Sequence, residues 1–255
     1  MIESAVLSFA LILARTGAFV GVLPMLGTHA TPRTVKLGLA VALAVLYFQM
    51  LGGSVTPECL TANGPVTWLA LISVLMMEAL LGAFLGYAMG LILLPIRIAG
   101  EYLGAEMGLA MGAQADPTAP NPSVVVTQLF EMLAGVLFFS LDGHHVFFAA
   151  LHGTFLRIPL GGWSGLSAIG PMTAGVSAAQ EWGLMLAAPV GAMLFLSSVV
   201  LALMTRAAPQ MNVFAFGYAV RIAFGLIGLF ALMPGFVAAI VRSLAHMSEL
   251  LERLV

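Results

Sequence analysis

Six long apolar stretches constrain the fold of this chain more than any other feature of its sequence. Each approaches or exceeds the roughly 20 apolar residues with which an α-helix crosses a bilayer. Hydrophobic residues make up 61% of the 255 residues and charged residues only 8%. A soluble domain of this composition would lack the polar surface to cover itself, so we predict an all-α polytopic membrane protein built from packed helical hairpins. The stretches are residues 5–26, 35–52, 66–94, 124–141, 182–204 and 213–241.

We predict a single membrane domain over residues 1–255. The third and sixth stretches are long enough to tilt or project beyond the bilayer, and the sixth can kink at Pro234. Proline and asparagine favour a loop over residues 112–123. In residues 143–177, histidines interrupt the apolar character and glycines break any long helix. This region is typical of an amphipathic segment followed by a loop.

The few charges exclude two classes of function. The net charge is −2 and the nine basic residues are scattered, which argues against a nucleic-acid partner because such proteins carry a clustered basic face. An enzyme would have to use Asp142, His144, His145 and His152. These residues match neither a hydrolytic motif nor a metal-ligand spacing, so we predict no catalytic residue, no metal site and no cofactor.

Glycine spacing predicts faces for helix packing. Residues four apart share a face of a helix, and a row of glycines lets another backbone approach closely. The partner helix belongs either to the same chain or to another subunit. The two rows are Gly82, Gly86 and Gly90, followed by Gly100, Gly104, Gly108 and Gly112.

Isolated charges inside the apolar stretches need partners, because an unpaired charge at membrane depth costs several kcal/mol. Structural ion pairs and a proton relay are both possible uses. Arg97 and Glu101 lie four residues apart at the start of the second glycine row, so on a helix their side chains can pair. The isolated charges are Arg15, Glu78, Glu131, Glu181 and Arg221.

Methionines are concentrated around the glycine rows. Methionine is flexible and polarisable, which suits either a deformable seal or ordinary filling of a core. Met107 and Met111 lie four residues apart, so on a helix they would share a face and close a constriction.

Three motifs resemble the FliR family, the flagellar counterpart of the T component of type III secretion systems. The first contains Arg15, Thr16 and Gly17, and the second is a Leu-Asp-Gly-His-His run followed by Pro159, Leu160 and Gly161. The third, Arg-Ala-Ala-Pro-Gln-Met-Asn-Val-Phe, is the most specific. Within the last two motifs we single out Asp142, Gly143, His144, His145, Arg206, Pro209, Gln210, Asn212 and Phe214.

The resemblance implies a non-enzymatic subunit of a protein export gate in the bacterial inner membrane, at the flagellar basal body. It would assemble with FliP and FliQ near FlhB, contact membrane lipid, and pass unfolded exported proteins. The loop after Met111 aligns with the family's plug, in which Gln114, Asp116 and Pro117 would fill the closed channel. Two alternatives stay open. One is the T component of a virulence secretion system, and the other is a small-solute transporter or channel that uses Glu78, Glu131 and Arg221.

Overall fold

A computed structural model describes residues 2–23, 32–52, 68–109, 124–162, 169–207 and 213–252 of the chain. Within these ranges the regular structure is entirely helical, which confirms the predicted all-α class. The helices, numbered here in chain order, are α1 (Ile2–Val22), α2 (Arg33–Met50), α3 (Trp68–Gly90), α4 (Leu94–Glu106), α5 (Val124–Ser140), α6 (Gly143–Arg157), α7 (Ile169–Ala207) and α8 (Val213–Glu252).

The described residues group into two compact units, and the single membrane domain over residues 1–255 stays a prediction. Unit 1 contains the described parts of Met1–Leu91, Gly143–Gly175 and Glu249–Val255, and unit 2 those of Ile92–Asp142 and Val176–Ser248.

Unit 1 is organised around α1, which packs against both α2 and α3, while α6 contacts α3. Leu11 and Phe19 of α1 are buried at its centre. Helix α6 also packs into this core, because Phe147, Leu151 and Phe155 are buried at helical spacing. Residues 143–157 therefore form a packed helix, and α7 already begins at Ile169, so much of the loop expected within 143–177 is helical.

Unit 2 contains a close contact between α4 and α5 and most of the two longest helices. Helix α4 begins after a turn at residues 91–93, with Pro95 in its first turn. Proline lacks an amide donor and clashes with the carbonyl four residues earlier, so it ends one helix and starts the next. This is why the apolar stretch 66–94 yields a helix that stops at Gly90.

The predicted kink near Pro234 is present in α8. The helical segments Phe216–Ala231 and Met233–His246 are bent by 60°. Pro234 removes one backbone hydrogen bond at this point, which is an ordinary cause of a sharp kink.

Four of the described helices are long and apolar enough to cross a membrane, and the number rises to six if two broken helix pairs each form one span. The four are α1, α2, α3 and α7. The pairs are α5 with α6 and the two segments of α8. The range of four to six agrees with the polytopic membrane protein predicted from the apolar stretches.

Candidate functional site

The centre of unit 1 contains a buried ion pair between α1 and α3. The side chains of Arg15 and Glu78 are 0% and 1% exposed. Arg15 donates from Nε to Oε2 of Glu78 over 2.6 Å and from Nη2 to Oε1 over 3.1 Å. This is the two-pronged arrangement that makes an arginine–carboxylate pair strong and directional. Two of the isolated charges singled out in the sequence are thus partners.

The end of α6 supplies further acceptors for Arg15. Its Nη1 donates to the carbonyl oxygens of Thr154 and Ile158 over 3.2 and 3.3 Å, and its Nη2 donates to Ile158 over 3.3 Å. The ring of Phe155 lies 4.5 Å from the guanidinium carbon, within cation–π distance. A buried guanidinium is tolerated when its donors find acceptors, and these contacts meet that condition.

The turn after α6 supplies a donor for Glu78. The amide of Gly161 donates to Oε1 over 2.7 Å. Gly161 has a φ of 79°, a left-handed conformation that glycine adopts without steric cost. The turn is closed by a hydrogen bond from the Gly162 amide to the carbonyl oxygen of Pro159 over 3.0 Å. The Pro-Leu-Gly run therefore aims a backbone amide at a buried carboxylate.

Glycines on α3 bring α1 close enough for this pair to form. A Cβ on Gly82 would overlap the backbone carbonyl oxygen of Arg15 and lie 2.9 Å from its carbonyl carbon. A Cβ on Gly86 would lie 2.7 Å from the carbonyl oxygen of Phe19. Glu78, Gly82 and Gly86 are four residues apart, so one face of α3 carries both the carboxylate and the close backbone contact.

The second glycine row behaves differently. Gly100 packs against α5, because a Cβ there would lie 2.7 Å from Cα of Thr127. Gly104 is also buried, but α4 ends at Glu106 and Gly108 lies in the following turn with a φ of 78°. The expectation of one helical face through Gly108 is therefore wrong, since Gly108 adopts a conformation that ends the helix. Gly112 lies outside the described residues.

Met107 follows the end of α4 and is 1% exposed. It packs in unit 2 against α8, where a Cβ on Gly225 would lie 2.6 Å from its Cγ. In the described structure this methionine fills a core. The remaining residues of the predicted gate, Met111, Gln114, Asp116 and Pro117, lie outside the described residues, as does most of the loop 112–123.

The other isolated charges are Glu131, Glu181 and Arg221, and all three lie in unit 2. Within the described residues, Glu131 is paired with Arg97. Arg97 lies 3.0 Å from a carboxylate oxygen of Glu101 and 3.8 Å from one of Glu131. Glu181 is exposed on α7, and Arg221 is half-buried on α8. Arg97, Glu101 and Glu131 therefore form an exposed network, in contrast to the buried pair of unit 1.

Several motif residues occupy helix ends. Asp142, with a φ of 55°, separates α5 from α6, and Gly143 begins α6. The rings of His144 and His145 lie 4.3 Å apart. Arg206 is exposed in the last turn of α7. Pro209, Gln210 and Asn212 fall outside the described residues, and for Phe214 only its place in α8 is described.

The sequence analysis missed the part that α6 plays in the buried site. Thr154 and Ile158 act through backbone carbonyls, and Gly161 acts through an amide, so no side-chain type reveals them. The Pro-Leu-Gly run was the available signal, because a proline and a glycine two residues apart mark a specific turn. The completed site joins α1 and α3 to the end of α6 and the turn after it by an ion pair and hydrogen bonds. These contacts hold the three elements in a fixed arrangement.

Comparison with known proteins identifies relatives along most of the chain. The flagellar biosynthetic protein FliR of Escherichia coli strain K12 is 30% identical over 223 residues, which cover 87% of this chain and 82% of the relative. The protein of the same name from Pectobacterium carotovorum is 31% identical over 218 residues, which cover 85% and 80%. The surface presentation of antigens protein SpaR of Salmonella typhimurium is 26% identical over 179 residues, which cover 70% and 66%.

The family comparison covers even more of the chain. Residues 6–247 match the family described as bacterial export proteins, family 1. That range includes Arg15, Glu78 and Gly161, the residues that build the buried site of unit 1. The chain therefore belongs to the bacterial export proteins of family 1.

Proposed function

We propose that this chain is a non-enzymatic core subunit of the bacterial flagellar type III protein export gate. In this proposal it lies in the inner membrane at the flagellar basal body and assembles with FliP and FliQ, near FlhB. Together these subunits form the channel through which unfolded flagellar proteins leave the cytoplasm. The observation that carries the proposal is the family match over residues 6–247.

The surface of the helices supports a role inside an assembly in a membrane. Trp68 and Leu69 are 81% and 80% exposed, and Phe230 is 85% exposed. Exposed apolar surface of this extent requires lipid or other subunits to cover it. Helices α7 and α8 contain 39 and 40 residues, about twice the length that crosses the hydrocarbon core. Such helices extend beyond the hydrocarbon core of the bilayer or bend within it. This favours an assembly that projects out of the membrane over a bundle of helices that each cross it once.

The buried pair argues against the solute-transporter alternative. A carboxylate that carries a transported proton or cation must exchange partners during the transport cycle. Both oxygens of Glu78 are held by Arg15, and one of them also accepts from Gly161. A carboxylate fixed in this way stabilises the fold of unit 1, and its exchange would leave a buried arginine without its counter-charge.

The flagellar system is preferred to a virulence system because of the two groups of relatives. FliR relatives range from 23% to 31% identical and include the two at 30% and 31% over at least 80% of their length, whereas SpaR is 26% identical over 66% of its length. The difference favours the flagellar branch and leaves the gate function the same in either case.

The proposal is tested by purifying the tagged chain from its native cells in mild detergent and identifying the proteins that accompany it. We expect FliP-type and FliQ-type subunits in fixed proportion, and we expect the chain expressed alone to aggregate or to be degraded. A folded, monodisperse monomer that transports a small solute in liposomes would overturn the proposal.

A further inference from the structure

We propose that an apolar groove on unit 2 docks a membrane helix of another export-gate subunit, and that this helix carries a lysine or arginine opposite Glu181. The inference rests on the proposed function and identifies a surface and a chemistry for one of the subunit contacts. The groove lies between α4 and α7 and has a volume of about 520 Å³.

The shape of the groove fits a helix. On α7, Ala188 and Ala192 lie four residues apart beside Gly191, and all three line the groove. Small residues at this spacing allow another helix backbone to approach closely. Leu184 and Phe195 lie along the same helix and are 60% and 66% exposed. An incoming helix would find a floor of small residues and apolar side chains to pack against.

The charge in the groove selects the partner. Glu181 lines the groove and is exposed, and it is the charged side chain among the described residues that line it. The ion-paired cluster of Arg97, Glu101 and Glu131 lies outside this lining. A basic residue on the partner neutralises Glu181, whereas a second copy of the same face would bring two carboxylates together.

Lipid is a poor occupant of this surface. Helix α7, which supplies most of the groove, has the length and composition of a membrane segment, and an uncompensated carboxylate facing hydrocarbon is costly. A helix with one basic residue removes that cost and also buries the apolar walls. Tyr102 lines the groove on the α4 side and offers a phenol that can hydrogen-bond to the same partner.

The charge requirement is tested by comparing Glu181→Lys with Glu181→Gln in the complex purified from cells. The lysine variant places like charge against the partner, so we expect recovery of the sister subunit to fall by about tenfold or more. The glutamine variant keeps the shape without the charge and should lose less. Glu131→Lys is the matched control, because it makes the same change of two charge units at an exposed position of α5 outside the groove.

Photo-crosslinking tests the occupant without disturbing the charges. A benzophenone amino acid at position 184, in the otherwise unchanged chain, should form an adduct with another export subunit. Adducts only with lipid or with a second copy of this chain, or no adduct at all, would overturn the inference. So would unchanged recovery of sister subunits with Glu181→Lys, including the case in which export falls while assembly is normal, because the groove would then line the export path.

The two proposals fail differently. If the unaltered chain recovers sister subunits and Glu181→Lys recovers them equally well, the docking groove is wrong and the gate function stands. If the unaltered chain recovers none, the proposed function is wrong and the docking groove falls with it.

Discussion

The buried pair of unit 1 makes a quantitative prediction about stability. Glu78→Leu removes the carboxylate and leaves Arg15 at 0% exposure with only backbone carbonyls as acceptors. Breaking a buried pair from one side costs about 3–5 kcal/mol. Because three hydrogen bonds from Arg15 to carbonyls survive, we expect a loss near the lower end of that range. Arg15→Met leaves a buried carboxylate with one amide donor, and we expect a larger loss.

The double variant separates the free energy of the ion pair from that of the surrounding hydrogen bonds. Arg15→Met with Glu78→Leu removes both charges and leaves the Gly161 amide without its acceptor, which costs about 1–3 kcal/mol. The double variant should therefore be more stable than either single variant. The coupling free energy between the two positions should be at least about 2 kcal/mol.

The assay is unfolding in mixed micelles by titration with a denaturing detergent, followed by tryptophan fluorescence. The matched control is Glu101→Leu, which breaks an exposed pair four residues apart and should change the free energy of unfolding by no more than about 0.5 kcal/mol. If the losses of the two single variants add up in the double variant, Arg15 and Glu78 do not act as a unit and the reasoning is refuted.

Three further predictions concern backbone geometry and the plug. Gly82→Ala should prevent α1 and α3 from docking and abolish the folded unit. Gly17→Ala, with open space around position 17, should be neutral or slightly stabilising. The yield of folded protein in detergent distinguishes the two variants, and equal yields would contradict the close contact between α1 and α3. Gly161→Ala should cost about 1–2 kcal/mol from its left-handed φ and lower the thermal midpoint less than Glu78→Leu does; an unchanged midpoint would show that the turn relaxes. Shortening residues 114–120 should leave assembly intact and make resting membranes leak ions; conductance equal to that of the unaltered gate would show an ordinary connector.

The fold class was predictable because apolar length is a property of the sequence itself. The six stretches correspond to helices or helix pairs, and the first glycine row predicted the face of α3 that meets α1. The boundaries were less predictable. The helix formed by the third stretch stops at Gly90 because Pro95 starts a new helix, and the second glycine row leaves the helix at Gly108 because this residue has a positive φ. Hydropathy records neither effect.

The buried site was only half predictable. The cost of a lone charge in an apolar stretch showed that Arg15 and Glu78 needed partners. It did not show that they were partners of each other, because they lie 63 residues apart and the pairing depends on how α1 and α3 pack. The backbone acceptors at the end of α6 carried no side-chain signal. The plug and most of the third motif lie outside the described residues, so their roles stay predictions.

The central claim is that this chain is part of the gate that exports flagellar proteins. The most direct measurement is the amount of flagellar protein secreted into the medium by cells of the native organism that lack the chain, compared with cells in which it has been restored. We predict that secretion is lost without the chain, returns with it, and fails to return with Glu78→Leu. Normal secretion of flagellar proteins in the absence of the chain would contradict the account.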